Sequence, residues 1–433
     1  MPIDPAAERL APLLARLENF ERTRPDRRVW DLATTRALLR RADAARAVGP
    51  AIQVGGSKGK GTTCAFLTAL ALAARRRVGC YTSPHVVTIR ERITVDGAPI
   101  PLDQLEQLLA ALLQRAATAG VRPTFFEALT VAAVDAFAQA HVDLAVYEVG
   151  LGGRFDATTA IPVAASILTG VELEHMQLLG DTVAAIAGEK APIVRPGGLG
   201  FTAARGDALA VVERHARDVG ARLYVLGTDL HLVEPQWSGT DCRARLVLPN
   251  GRDERLLLPQ ARAFELPALA LAAAALAAVL PDARLQLDPA PRPWPLPARF
   301  EILRAADGGT VVLDGAHTEN SLAAVAAEFR RRWPGRRVAV LFACAADKRW
   351  REGLSALLPI ADRFVVTGLT GTVGEDPARI ADWLAAQGSR VEVAADAAAG
   401  LALLCAAPPP RLVTGSFYLA GQVRAQLAPP IET

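Results

Sequence analysis

The sequence predicts an α/β protein in two parts. A larger N-terminal domain, residues 1–285, carries a mostly parallel sheet, and a smaller, doubly wound α/β domain occupies 298–433. Two observations predict this. Short apolar runs alternate with amphipathic stretches of helical length, the pattern of a parallel sheet covered on both faces. The alternation also halts and restarts around "PDARLQLDPAPRPWPLP" at 281–297, whose six prolines exclude helix and central strand. Residues 286–297 are therefore read as a linker.

Taken in order, residues 1–48 read as helical, with Leu10, Leu13, Leu14 and Leu17 on one face. Strands are expected at "AIQV", "VGCYTS", "DLAVYEVG" and "AASILTG". The run "LALAAAALAAVL" is too short to span a bilayer and reads as a buried helix. Beyond the linker come "VVLDGAH", the helix "SLAAVAAEFRRRW", and then "RVAVLFA", "RFVVTGL", "RVEVAA" and "RLVTGS".

Composition excludes several classes. The 433 residues are 51% apolar and 21% charged, with a net charge of +3. That small charge implies no broad basic face for nucleic acid, and the arginine runs at 75–77 and 330–332 read as solvated helix ends. Five scattered cysteines, with no C-x-x-C pair, argue against a disulfide framework or a zinc site and for a reducing cytoplasm. The first twenty residues mix acids and bases and do not form a secretion signal. A cytoplasmic monomer that binds neither membrane nor nucleic acid is expected.

The chemistry centres on "VGGSKGKGTT" at 54–63, between a strand and a helix. Glycines there aim backbone N–H groups and the positive helix end at whatever lies in front, which suits a phosphate. The match to the usual phosphate loop is imperfect, because Val54 takes the first glycine position and Gly61 separates Lys60 from Thr62. Ligands in open α/β sheets collect beyond the carboxyl ends of strands. Ser83, Glu148, Glu174, His175 and Asp181 follow successive strands there and offer hard oxygen or imidazole groups for Mg²⁺ and nucleotide phosphates. Singly, each has a plainer reading: Ser83 as a turn cap before Pro84, Glu148 as an ordinary strand-end carboxylate.

Together "GGSKGKGTTCAF", "TSPHVVTIRERITVDGAPI", "DLAVYEVGLGGRFDATT", "LLGDTVAAIAGEKAPIVRPG", "ARFEIL" and "VVLDGAHTENS" resemble the folylpolyglutamate synthase and dihydrofolate synthase family of the Mur ligase superfamily. The resemblance runs from about residue 10 to residue 420 and implies a phosphate-loop ATPase domain followed by a ligase domain. It implies that Gly56, Ser57, Lys58, Gly59, Lys60, Gly61 and Thr62 hold ATP, with Arg299, Asp314 and His317 contributed by the second domain. Thr62, Ser83, Glu148 and His175 are implied as magnesium ligands, and Lys60, His175 and Lys190 as catalytic. Lys190 matches the lysine that is carbamylated in many members; its plainer reading is a lysine at a helix end. Pro84, His85, Arg90, Arg92, Phe125, Phe126 and Asp156 are implied around the acceptor, although the two phenylalanines equally suit a helix core.

The implied reaction is ATP-dependent addition of L-glutamate to dihydropteroate or a folate through an acyl phosphate. Two other readings stay open: a Mur-type amide ligase acting on another carboxylate, and an ATP-binding sensor without chemistry. The chain also departs from the family pattern. Glu174 stands where relatives have Asp, Thr159 where they have Asn, and "FELPALALAA", with Glu265 and Pro267, where they show His-Gln and an Asn near the adenine.

Overall fold

The structure, a computed structural model, describes residues 5–20, 31–40, 49–285, 296–346, 348–370 and 372–427. Most of the predicted linker lies outside these residues. The chain divides into two compact units. One comprises Ala6–His85 and Arg90–Trp294, and the other Met1–Pro5, Val86–Ile89 and Pro295–Thr433.

The first unit is organised by an eight-stranded sheet. From edge to edge its strands are Ala98–Pro99, Ile93–Val95, Val78–Tyr81, Leu144–Glu148, Ala51–Gly55, Ala165–Leu168, Leu199–Thr202 and Arg222–Val225. Ile93–Val95 runs antiparallel to both of its neighbours, and every other pairing is parallel. Ile52 and Val54 face one side, where they meet Phe66, Leu67 and Leu70 of helix Lys60–Ala73. Against that helix packs Leu266–Val279, apolar all round and buried along most of its length. Each leucine so buried contributes about 1.5–3 kcal/mol.

This central helix is capped by an antiparallel sheet of His231–Ser238, Asp241–Val247 and Asp253–Leu258, which was not anticipated. Cys242, Ala244 and Leu246 point inward while Arg243 and Arg245 point out. Among its described residues, the N-terminal stretch is less helical than expected. One helix spans Pro5–Leu14 and another Ala33–Arg40, while Leu17 lies in a turn after the first.

The second unit has a six-stranded sheet ordered Glu301–Arg304, Thr310–Leu313, Arg411–Thr414, Val338–Phe342, Ala361–Val366, Arg390–Val393. Only its first strand runs antiparallel. Alternate residues feed opposite faces, with Val312, Val340 and Phe364 in one core and Val311, Leu341 and Val365 in the other. That is the doubly wound arrangement the sequence predicts.

The reading of 330–332 as solvated holds for the exposed Arg330 and needs correction for the other two. Arg331 and Arg332 both bond the buried carboxylate of Glu328, and the Arg332 side chain is only 6% exposed. The helix turn places these charges three and four residues from the acid, on the packed face. Among the described residues no helix is long and apolar enough to cross a membrane.

Candidate active site

Four neighbouring strands of the first unit, ending at Tyr81, Glu148, Gly55 and Leu168, lie side by side in that order. Their carboxyl-end loops therefore share one edge of the sheet, and these loops carry most of the residues singled out from the sequence. Parallel register sets Val54 opposite Glu148 and Gly55 opposite Leu168.

The glycine loop turns sharply into helix Lys60–Ala73. Gly56 has φ 130° and Gly59, at the N-cap, φ 83°, both costly for any residue with a Cβ. Two ammonium groups converge on one carbonyl: Lys60 Nζ donates to Gly56 O at 3.0 Å and Lys190 Nζ at 3.2 Å. Lys190, 2% exposed, also donates to Glu174 Oε1 at 2.8 Å. Burial alone would raise the Glu174 pKa, but Lys190, Lys60 and Lys58 together lower it to about 2. Burial, with repulsion from Lys60, lowers that of Lys190, and Glu174 opposes the shift. At the loop's outer side Gly59 is exposed, while Lys58, Lys60, Gly61 and Thr62 are half-buried and Ser57 is buried. The first-turn N–H groups have no acceptor inside the helix and face outward with the positive end of the dipole.

Glu148, 2% exposed, ends its strand next to this loop and accepts the Ser83 N–H at 3.1 Å. A buried carboxylate on a strand flanked by the loops of Ser83 and Thr62 offers hard oxygen donors of the kind Mg²⁺ takes. Among the described residues no three His, Cys, Asp or Glu side chains are gathered as a ready metal cluster. His175 is exposed and holds φ 45°, an unusual backbone state for a non-glycine residue. Asp181 is exposed.

Among the residues the resemblance implies around the acceptor, a capping box between Thr124 and Glu127 starts helix Phe125–Gln139 and so fixes both phenylalanines in its first turn. Their environments differ. Phe125 is 5% exposed under the guanidinium of buried Arg92, 5.1 Å from its ring centre, and Arg92 Nε donates to His85 Nδ1 at 2.8 Å. Phe126 is half-buried, 5.6 Å from the Tyr81 ring, and its ring lies on the Gly150 backbone, where a Cβ would come within 2.6 Å. Arg90 Nε donates to Ile100 O at 3.1 Å, and Pro84 is exposed.

Asp156 serves its own loop. Its two oxygens accept the Gly150, Leu151 and Thr158 N–H groups and the Thr158 hydroxyl. Burial raises its pKa against these bonds. Beneath it Gln53 donates to Thr158 and Thr159 and accepts from Arg195, a buried network that the sequence did not single out.

In the second unit, strands Thr310–Leu313 and Arg411–Thr414 are adjacent, yet the helices that follow them pack on opposite faces. That reversal opens a crevice at their carboxyl ends. Asp314 sits there, its oxygens accepting from Phe300 N and Ala316 N at 2.7 Å each. Arg299 lies over the Phe417 ring at 4.2 Å, and His317 meets that ring edge-on at 6.2 Å. Phe417 thus joins two of the three residues implied from the sequence, and Gly315, where a Cβ would fall 2.2 Å from its ring, admits it. Nothing in the sequence marked it, since a phenylalanine opening a helix is ordinarily core.

Residues 298–416 match the family "Mur ligase, glutamate ligase domain". Over 388 residues, 86% of this chain, it is 34% identical to a Haloferax volcanii protein named "Probable bifunctional folylpolyglutamate synthase/dihydropteroate synthase". The match covers 45% of that relative, so the chain spans under half its length. A Bacillus subtilis dihydrofolate synthase/folylpolyglutamate synthase is 31% identical over 72% of this chain and 74% of its own length. Among solved structures, the Mycobacterium tuberculosis folylpolyglutamate synthase complexed with ADP superposes with a TM-score of 0.83 at 27% identity, over 97% of this chain and 98% of that one. The Escherichia coli FolC in complex with DHPP and ADP gives 0.83 at 25% identity, over 96% of each.

Proposed function

Because this chain belongs to the dihydrofolate synthase/folylpolyglutamate synthase family of Mur ligases, we propose that it joins L-glutamate to a pteroate or folate carboxylate at the expense of ATP. The observation that carries this reading is the pair of ammonium groups meeting at Gly56 O, beside the N-terminus of a buried helix. Such a cradle is built for transferable phosphate.

The acceptor carboxylate attacks the γ-phosphorus of ATP, giving an acyl phosphate and ADP. The glutamate amine then adds to the acyl carbon, loses a proton, and expels phosphate, which keeps one carboxylate oxygen. Phosphoryl transfer needs positioning and charge neutralisation more than covalent help. Lys60 and the N–H groups of Gly59, Gly61 and Thr62 supply both for the phosphates. Magnesium, held by Thr62, Ser83 and Glu148 with His175 on the neighbouring loop, would neutralise phosphate charge. Arg299, Asp314 and His317, gathered at the second unit's own crevice, are the residues of that unit that the family resemblance assigns to the nucleotide. Lys190, its ammonium paired with Glu174, stands at the position where the resemblance implies a carbamylated lysine. Buried thiols at Cys64, Cys80, Cys242 and Cys344 suit a reducing cytoplasm.

The different settings of the two phenylalanines divide their roles. Phe126→Ala is expected to raise KM for the pteroate acceptor about two- to tenfold while KM for ATP stays constant. Phe125→Ala is expected to lower Tm instead, and the reverse assignment would show in the same two measurements.

The reading is tested by incubating the chain with ATP, L-glutamate and a panel of dihydropteroate, tetrahydrofolate and non-folate carboxylates. Phosphate release should match a product one glutamyl residue heavier. Product only from a non-folate acid would move the acceptor class, and nucleotide binding without product would leave a sensor.

A further inference from the structure

We infer that Thr169, the residue after strand Ala165–Leu168, is the positioning residue that sets the shape of the phosphate loop. The inference rests on the nucleotide-site reading of that loop. Thr169 N donates to Gly55 O at 2.9 Å, and its hydroxyl lies 3.2 Å from the same oxygen. The hydroxyl's shorter contact is to Lys58 O, at 2.6 Å. One proton serves one acceptor well, so the bond goes to Lys58.

That bond turns the 58–59 peptide. A trans peptide is planar, with its C=O and N–H opposed, so drawing the Lys58 oxygen inward points the Gly59 N–H outward, to the side a phosphate approaches. The threonine hydroxyl also fills the notch left by the missing side chain of Gly56, since a Cβ there would stand 2.0 Å from Thr169 Oγ1. Gly56 and Thr169 are therefore complementary, each requiring the other's shape.

The residues after Thr169 continue the fastening. Ser57 N donates to Gly170 O at 2.7 Å, and Glu172 N donates to Ser57 Oγ at 3.0 Å. Two residues on stands Glu174, partner of Lys190, whose ammonium returns to Gly56 O. The strand-end loop and the phosphate loop thus hold one register, with Thr169 as its first tie.

Binding of a non-hydrolysable ATP analogue to the full chain, measured by calorimetry alongside Tm and steady-state kinetics, tests this. Thr169→Val keeps shape and removes the hydroxyl. It should stay folded, bind the analogue about tenfold or more weakly, raise KM for ATP likewise, and leave KM for the acceptor alone. Thr169→Ser should restore analogue binding to within about twofold of the original. Should the valine variant not fold, Thr169→Ala carries the same expectation. A folded valine or alanine variant that binds as tightly as the original overturns the inference. So does a serine variant as weak as valine, because methyl packing would then be the cause. An unsubstituted chain that binds no nucleotide would sink the nucleotide-site reading as well, whereas equal binding by original and variant sinks only the role of Thr169.

Discussion

Replacing Lys60 with alanine is expected to lower kcat by about a hundredfold or more, equivalent to some 2.7 kcal/mol of transition-state stabilisation. The reason is geometric. Lys60 opens the helix behind the glycine loop, and its ammonium is tethered to Gly56 O at 3.0 Å, so the charge is already in place when phosphate arrives. A preorganised charge costs no reorganisation during the reaction, and its loss falls on the chemical step. The side chain is half-buried and adds little to the core, so Tm should move by only a few degrees at most. Near-normal kcat in a folded Lys60→Ala chain would return the loop to a structural turn.

Glu148→Gln should have the next largest effect. Glutamine keeps the shape and an oxygen that can accept the Ser83 N–H, yet it removes the negative charge from a site 2% exposed at the end of a central strand. The magnesium concentration for half-maximal activity should rise about a hundredfold, the upper end of what disturbing a metal's surroundings produces, since here the anion itself is lost. Stability should change little, because glutamine keeps the side-chain volume and an acceptor for the Ser83 N–H. An unaltered magnesium dependence would make Glu148 an ordinary strand-end carboxylate.

Much of the fold was legible because its core strands are short, mostly apolar runs. Ala51–Gly55, Leu144–Glu148 and Ala165–Leu168 are buried at every position, and such runs between helical patterns have few other structural solutions. The antiparallel sheet at 231–258 was overlooked although part of its signal was present. Cys242 to Leu246 alternate inward and outward, but the neighbouring strand His231–Ser238 is mostly exposed, contains Pro235, and shows no such pattern.

The glycine loop suggested a phosphate cradle from its own residues, whereas "DGAH" was singled out only by the family resemblance. The candidate site was illegible where a residue acts by fit. Thr169 has no chemical signature until the notch at Gly56 is seen, and Phe417 none until Arg299 and His317 are found against its ring. Asp156 illustrates the converse. The resemblance implies contact with an acceptor, while its oxygens serve four donors of its own loop.

The central claim is that ATP activates the acceptor's own carboxylate as an acyl phosphate, which the glutamate amine then attacks. It is tested most directly by following oxygen. A pteroate or folate acceptor labelled with ¹⁸O in the reacting carboxylate should yield inorganic phosphate carrying one ¹⁸O for each amide formed, read by mass spectrometry. Unlabelled phosphate alongside glutamylated product would contradict the account, because water rather than the acceptor would then have taken the phosphoryl group.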